Sequence, residues 1–411
     1  MSILKKYEKT NVLEASQERI SFIFDNFEKI YLSFSAGKDS TLMLHLVMAE
    51  AIKRNRKIGI LLVDLEAQYK LTMRHAETCM ALYKDNIEVF WCSLPLALRN
   101  AVSNYQPRWL AWDPNAKESW VRQPPEYAIT DEAFFPFFQR NMEFEEFVPE
   151  FGEWYSQGKP CACFVGIRTD ESLNRFRTIA LKTKIKYQNK NYTTKVTDNV
   201  YNVYPIYDWR VEDLWHYHYL NPKLPLNQIY EQMHKAGLSP SQMRICQPYG
   251  DDQRRGLWLY HILEPATWYK VVNRVNGANS GSLYIQESGN MTGYSKISKP
   301  DNHTWKSFCN LLLGSLPKNT QEHYIVKFKV FIKWWKARGY AEGIPDEAPL
   351  VLEAGRIAPS WRRLCKVLLR NDYWCKGLAF TQPKSAAYGK YLEMKKAGTL
   401  LKAPRLSQDE E

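Results

Sequence analysis

Apolar positions along this chain fall into two alternating patterns. Compact runs rich in strand-forming residues recur at Ile30–Phe34, Ile58–Val63, Ile87–Cys92, Cys163–Ile167 and Val200–Pro205. Between them the apolar residues spread into longer amphipathic stretches that read as helices, such as the one carrying Leu42, Leu44, Leu46, Val47 and Ile52. Ser16 to Phe27 reads as a first helix, with Ser16 as its N-cap and Ile20, Ile23, Phe24 and Phe27 on one face. Strands separated by helices predict an α/β fold on a parallel sheet, whose ligands sit at the carboxyl ends of the strands.

Residues 105–158 interrupt this rhythm. They carry Trp109, Trp112, Trp120, the Phe134–Phe138 cluster and the acidic run Glu143, Glu145 and Glu146. The stretch is too long for a plain connection and predicts a folded insertion or a lid. Past about residue 250 the strand signals fade. Helical patterns take over at His323–Arg338 and Trp361–Leu369, after a Gly/Ser/Asn-rich link at Asn276–Gly293. The expected organisation is a nucleotide-binding domain over 1–250 and a mainly helical domain over 251–411.

The turn after the first strand carries the clearest chemistry. Ile30–Phe34 runs into Ser35-Ala36-Gly37-Lys38-Asp39-Ser40-Thr41, which opens the next helix. Such a turn offers backbone N–H groups and the positive end of a helix dipole to an anion. Gly37 permits close backbone approach, Lys38 adds a point charge, and Ser40 and Thr41 add hydroxyls. Asp39 suits either a metal-bound phosphate or a helix cap. The spacing is not that of the Walker loop. A Ser-rich helix cap is the plain alternative.

A second cluster opens with Gly166-Ile167-Arg168-Thr169-Asp170-Glu171-Ser172 and continues through Arg175 and Arg177. Arg168 and Arg175 are planar, permanently charged forks suited to phosphate or sulfate, which Asp170 and Glu171 can orient. Self-paired charges on a helix N-terminus would look the same in sequence. Val63-Asp64-Leu65-Glu66 ends the second strand; Asp64 or Glu66 is either a metal ligand or a turn former. Arg244, Arg254 and Arg255 surround a Pro/Gly-shaped loop that either clamps a second anion or is a basic junction.

Net charge is +12, unevenly placed. Asp301–Glu411 holds 19 Lys+Arg against 11 Asp+Glu, and Ser103–Pro160 holds 10 acidic against 5 basic residues. A basic, aromatic C-terminal region is compatible with DNA or RNA as partner, or with a solvated basic face. The N-terminus has no hydrophobic signal region and no run reaches membrane-spanning length, so a cytoplasmic protein with reduced thiols and no membrane contact is expected.

These motifs resemble a known family. Ser35–Ser40 resembles the Ser-Gly-Gly-x-Asp-Ser loop of the PP-loop ATP pyrophosphatases, with Ala36 in place of the first glycine. Gly166–Ser172 with its following arginine, and then Pro205-Ile206-Tyr207-Asp208-Trp209, look like signatures of the phosphoadenosine phosphosulfate (PAPS) reductase branch. The extended C-terminal region and the Arg244–Gly256 segment are most similar to the immunoglobulin-binding-regulator A type within that branch. The resemblance implies a PP-loop, adenine-nucleotide-hydrolase-like fold that binds ATP or PAPS with Mg²⁺. Its site would comprise Ser35, Ala36, Gly37, Lys38, Asp39 and Ser40, together with Asp64 and Leu65 beside the adenine and Gly166, Arg168 and Arg175 across the nucleotide. Lys38, Asp39 and Arg168 would act in catalysis, with Asp39 toward the metal.

Cysteine placement bears on the reaction. PAPS reductases resemble one another in a nucleophilic cysteine on a C-terminal tail, and residues 376–411 contain none. None of the eight cysteines forms a quartet with cluster spacing, so no iron–sulfur cluster is expected. Cys161 and Cys163 are expected on opposite faces of their strand and Cys246 as the better candidate for a reactive thiol. His216 and His218 lack partners at zinc-ligand spacing. Three functions follow: an ATP pyrophosphatase adenylating an acceptor, with sulfur transfer to nucleic acid as the use that the similar module of DNA phosphorothioation proteins implies; a PAPS sulfonucleotide reductase; or a nucleotide-sensing, nucleic-acid-binding regulator or defence protein.

Overall fold

The computed structural model describes residues 8–380 apart from 104, 105, 107, 181–183, 241, 246, 251–256, 276, 277, 279–296, 298, 317, 370, 371, 373 and 374. Cys246, Arg254, Arg255 and, except for Ala278, the link expected at 276–293 lie outside the described residues. The chain divides into two compact units, residues 1–99 with 108–282 and residues 100–107 with 283–411.

In the first unit, α1 (Val12–Asn26) leads into β1 (Lys29–Ser33), α2 (Lys38–Lys53), β2 (Ile58–Val63), α3 (Lys70–Leu82) and β3 (Ile87–Cys92). A short antiparallel pair, β4 (Ala97–Arg99) and β5 (Arg108–Leu110), precedes α4 (Phe144–Ser156) and β6 (Cys161–Val165). Then come α5 (Leu173–Ala180), β7 (Thr193–Lys195), β8 (Val200–Val203), α6 (Val211–Leu220), α7 (Ile229–Lys235), α8 (Leu257–Leu263) and α9 (Pro265–Arg274). The main sheet has the order β3-β2-β1-β6-β8-β7, parallel throughout except for β7. This is the PP-loop, nucleotide-hydrolase-like α/β architecture. Its central strands read as near-continuous apolar runs because both faces are covered.

One face packs against α1, α2 and α3 through Ile23, Leu32, Leu44, Ile60 and Ala76. The other is covered by α4 and by aromatic residues of the 105–158 stretch, with Phe135, Phe147 and Phe151 against Tyr31, Leu61 and Phe90. Cys161 and Cys163 both belong to this second core. The expectation of opposite faces was wrong: alternate residues of a strand share a face, and only Ala162 between them turns the other way.

Helix α1 also begins earlier than its apolar pattern suggests. Asn11 is the N-cap and forms a capping box with Glu14. Ser16 sits inside the helix, its hydroxyl 2.7 Å from Val12 O and 3.1 Å from Pro205 O and accepting from Trp209 Nε1 at 2.8 Å. The division between units falls at 282, where the sequence pattern sets it near 250. Helices α8 and α9 stay with the first unit: Tyr260 stacks on Tyr69 at 4.0 Å, and Arg274 pairs with Glu66.

The second unit is helical, as its pattern predicts. Helices α10 (Trp305–Gly314), α11 (Lys318–Lys336), α12 (Leu350–Ala354) and α13 (Trp361–Leu369) accompany a core of Trp305, Cys309, Phe328, Phe331, Leu364 and Cys365. No helix among the described residues is long and apolar enough to cross a membrane.

Candidate functional site

The chain turns at the point where strand order reverses, with β2 on one side of β1 and β6 on the other; α/β sheets bind ligands at such crevices. Phe34 N still donates to Leu61 O at 2.8 Å, and then Ser35, Ala36 and Gly37 bend into α2. Ser40 closes the turn: its hydroxyl lies 3.0 Å from Ser35 Oγ and 3.1 Å from Gly37 O, and accepts from Ser35 N at 3.3 Å. Ala36, at the position of the family's glycine, has φ +54, the left-handed region. Gly37 is the N-cap of α2 and supplies no side-chain cap.

The loop after β6 meets this turn at backbone contact. A Cβ on Gly166 would lie 3.0 Å from Asp39 C and O and from Ser40 Cα, so nothing larger than glycine fits without a shift. Two residues on, Arg168 is 3% exposed and its Nε donates to Asp39 Oδ1. Asp39 Oδ2 faces Lys38 Nζ at 3.4 Å, so each oxygen of this carboxylate meets a cation. Lys38 Nζ also donates to Met243 O at 2.9 Å.

Lys38, Arg168 and Arg244 line a cleft of about 180 Å³ together with Asp170, Glu171, Val211 and Pro240. That is small beside the roughly 300–1,000 Å³ of pockets that swallow a drug-sized ligand. It suits a phosphate or sulfate group rather than a whole nucleotide. Glu171 Oε2 accepts from Arg175 Nη1 at 2.8 Å, and Arg244 Nη2 donates to Glu171 O at 2.8 Å. Burial, reinforced by the Asp39 charge, raises the Glu171 carboxyl above its ordinary value.

The structure therefore brings together Ser35, Ala36, Gly37, Lys38, Asp39, Ser40, Gly166 and Arg168. Arg175 turns to Glu171 and does not line the cleft. Asp64 and Leu65 lie one strand away, at the end of β2. Asp64 is wholly buried: Oδ1 accepts from Glu66 N (3.0 Å) and from Arg122, and Oδ2 from Trp91 Nε1 (2.8 Å) and Ser93 Oγ (3.4 Å). Its main chain is engaged as well, N with Cys92 O and O with Trp112 Nε1. Glu66, also fully buried, accepts from Trp112 N, Val121 N and twice from Arg274, at 2.6–3.1 Å. This cluster anchors the aromatic insertion and α9 to the sheet. Among the described residues no group of three or more His, Cys, Asp or Glu is placed to hold a metal.

Residues 29–236 match the phosphoadenosine phosphosulfate reductase domain. The chain belongs to that family. The match to this PP-loop nucleotide-binding family runs from the start of β1 to the residue after α7, and residues 237–348 match a domain of unknown function, DUF3440. The chain is 44% identical over 396 residues, 96% of each chain, to the uncharacterized protein YbdN of Escherichia coli (strain K12). Among solved structures it is similar to the PAPS reductase of Candida auris in a phosphate complex (11% identity, 56% of this chain and 94% of that one, TM-score 0.30). It is also similar to the U34-tRNA thiolase NcsA of Methanococcus maripaludis with its [4Fe-4S] cluster (11%, 73% and 88%, TM-score 0.30).

Within the PAPS reductase family domain, α7 and the loop before it supply residues that sequence reasoning missed. Asn227 Nδ2 donates to Ala36 O and to Thr72 Oγ1, both at 3.1 Å, and Tyr230 OH accepts from Lys38 N at 2.8 Å. Met243 O reaches Lys38 from the start of the DUF3440 match, and Arg244, which the sequence marks as a candidate anion clamp, reaches Glu171 O on the facing loop. No local signal marks Asn227 or Tyr230, since a Tyr on a short amphipathic helix reads as core. None of the described cysteines lines the cleft. The seven described ones are buried, and burial pushes the thiols of Cys79, Cys163 and Cys375 up to about 12.

Proposed function

We propose that this protein binds an adenine nucleotide by its phosphates at the Lys38–Arg168 cleft and splits ATP between the α- and β-phosphates, adenylating an acceptor. The observation that carries this reading is the convergence of Lys38, Arg168 and Arg244 on one small cleft at the strand-order reversal. In the step, an acceptor nucleophile bonds to the α-phosphorus. The bond to the bridging oxygen breaks, and pyrophosphate leaves with the electron pair. Fixed cations beside that oxygen neutralise the developing charge without reorganising. Mg²⁺ would arrive on the phosphates with Asp39 as the carboxylate in reach, supplying further charge neutralisation.

Ligand stabilisation follows occupancy, so ATP with Mg²⁺ should raise the Tm of the full chain and Lys38→Ala should remove most of that rise. Equal stabilisation of both proteins overturns the assignment. PAPS reduction is disfavoured because attack on the sulfonyl group needs a thiolate, and residues 376–411, where the resemblance would put the nucleophile, contain no cysteine. Thiol-dependent sulfite release from PAPS would reverse that choice.

A second reading, nucleic-acid binding, is favoured by the exposed side chains of α11, where Lys329, Lys333 and Lys336 form one stripe and Trp334 lies round the helix from them. Arg338 stacks over the Trp334 ring at 3.8 Å. Aromatic platforms flanked by cations hold single strands by stacking and phosphate contacts. Single-stranded DNA should then bind with a steep salt dependence that Trp334→Ala weakens. Binding indifferent to both salt and Trp334 removes this face from consideration.

A further inference from the structure

Helix α2 begins at Lys38, and the first amides of a helix have no partner within it. In a phosphate loop these amides are the anion's donors. Here the Lys38 amide already donates to a side chain from 192 positions away, the Tyr230 hydroxyl at 2.8 Å. The Lys38 ammonium is engaged too, by Met243 O. The Lys38 amide and one N–H of its ammonium are thus held from one part of the chain, while Asp39 Oδ2 faces the same ammonium at 3.4 Å.

The same stretch grips the loop at two further points of different character. Pro225 O accepts from His45 Nε2 at 2.9 Å, and Asn227 Nδ2 donates to Ala36 O. Asn227 Oδ1 meanwhile accepts from Ile229 N at 3.0 Å, fixing the start of α7. A phosphate competes for N–H and ammonium donors. It does not compete for the carbonyl of Ala36, and the His45 N–H, inside α2, is 2% exposed and does not line the cleft. The contacts on the loop and α2 therefore divide into a pair at 225–227 that an anion leaves intact and a pair at 230 and 243 whose donors it competes for, while Arg244 holds Glu171 O on the facing loop.

The geometry points to residues 225–240 and 242–244 as a strap over the phosphate loop, with Tyr230 as a built-in stand-in for a phosphate oxygen. The inference rests on the nucleotide-site reading. An entering anion takes the Lys38 amide from Tyr230 and the Lys38 ammonium from Met243, and the strap swings about its anchors at Pro225 and Asn227. Arg244, next to Met243 and already lining the cleft, follows the anion as the strap moves. Occupancy of the PAPS reductase family domain is thereby signalled to the first residues of the DUF3440 match. Tyr230 sets anion affinity by competing for it.

Inorganic pyrophosphate titrated into the full-length protein and its Tyr230→Phe variant tests this. Phe keeps the ring and removes the competing hydroxyl, so pyrophosphate should bind about two- to tenfold more tightly. In the wild type, pyrophosphate should speed backbone hydrogen exchange over 229–244 while leaving 225–227 unchanged, a readout that does not depend on the variant folding. Equal or weaker binding by Tyr230→Phe, or exchange that slows across the whole stretch, overturns the strap and leaves the nucleotide site standing. Failure of both proteins to bind pyrophosphate overturns the strap and the site together.

Discussion

Adjacent parallel strands of this sheet end in two clusters that look alike and behave differently. At the end of β1, Asp39 pairs with Arg168 and Lys38; at the end of β2, Glu66 pairs with Arg274 and Asp64 with Arg122. In the β2 cluster every carboxylate oxygen receives two donors from within the protein, which uses the full acceptor capacity of both groups. In the β1 cluster one carboxylate serves two cations, and both cations border open space. Charged residues at a strand end do not by themselves make a site. What distinguishes one is room: the charged groups at the end of β1 border a cleft that an anion can enter, and those at the end of β2 do not.

Among single substitutions the largest effect should come from the closed cluster. Glu66→Gln leaves Arg274 buried beside a neutral amide, and breaking such a pair costs about 3–5 kcal/mol. Urea unfolding would show it; a loss below about 1 kcal/mol would mean that the two clusters are energetically alike. Acid should instead weaken the support behind the open cluster. His75, bonded to Thr41 of α2, and His218 are both depressed to about 4, by burial first and then by neighbouring histidine charge; His45 is lowered by burial. The unfolded chain takes up these protons first, so stability is complete above about pH 6.5, falls below it and levels off near pH 4. The fall should approach roughly 3 kcal/mol for each of His75 and His218. Denaturation at pH 7.5 and 4.5 measures it, and equal stabilities would contradict it.

A smaller effect, on binding, should mark the open cluster itself. Arg168→Lys keeps a charge beside Asp39 but loses the planar fork, so ATP and pyrophosphate affinity should drop about tenfold to a hundredfold with little change in Tm. Unchanged affinity would place Arg168 with Arg274, as a strut. The smallest effect is expected at Ala36. Relief of its left-handed strain, about 1–2 kcal/mol, is opposed by glycine's entropy, about 0.5–1 kcal/mol, and by one lost buried methyl, about 0.8 kcal/mol. Ala36→Gly should move stability by less than about 1 kcal/mol; a larger gain would show that the turn stores real strain.

The open cluster was legible because its parts are local. Ile30–Phe34 announces the strand, Gly37 and Lys38 the turn, and Gly166 with Arg168 the facing loop. The strand positions were readable for the same reason: near-continuous apolar runs have few other uses. What the sequence withheld depends on long-range pairing. Nothing around Glu66 points to Arg274, 208 positions away, and nothing around Tyr230 points to the amide of Lys38. The start of α1 was misplaced because its capping box at Asn11 and Glu14 precedes the apolar pattern that draws attention to Ser16. The aromatic stretch gave composition without partners, and composition alone does not distinguish a lid from the cover of a sheet face.

The contact at Gly166 has an evolutionary cost. Two backbones that touch leave no side chain between them to trim or enlarge, so substitutions on either loop cannot tune the gap between Lys38 and Arg168 in small steps. A methyl at 166 would act as a wedge, prising the two loops apart all at once. A lineage seeking to accept a bulkier ligand would find that route closed. It would have to work through the strand ends or through the segment above the cleft.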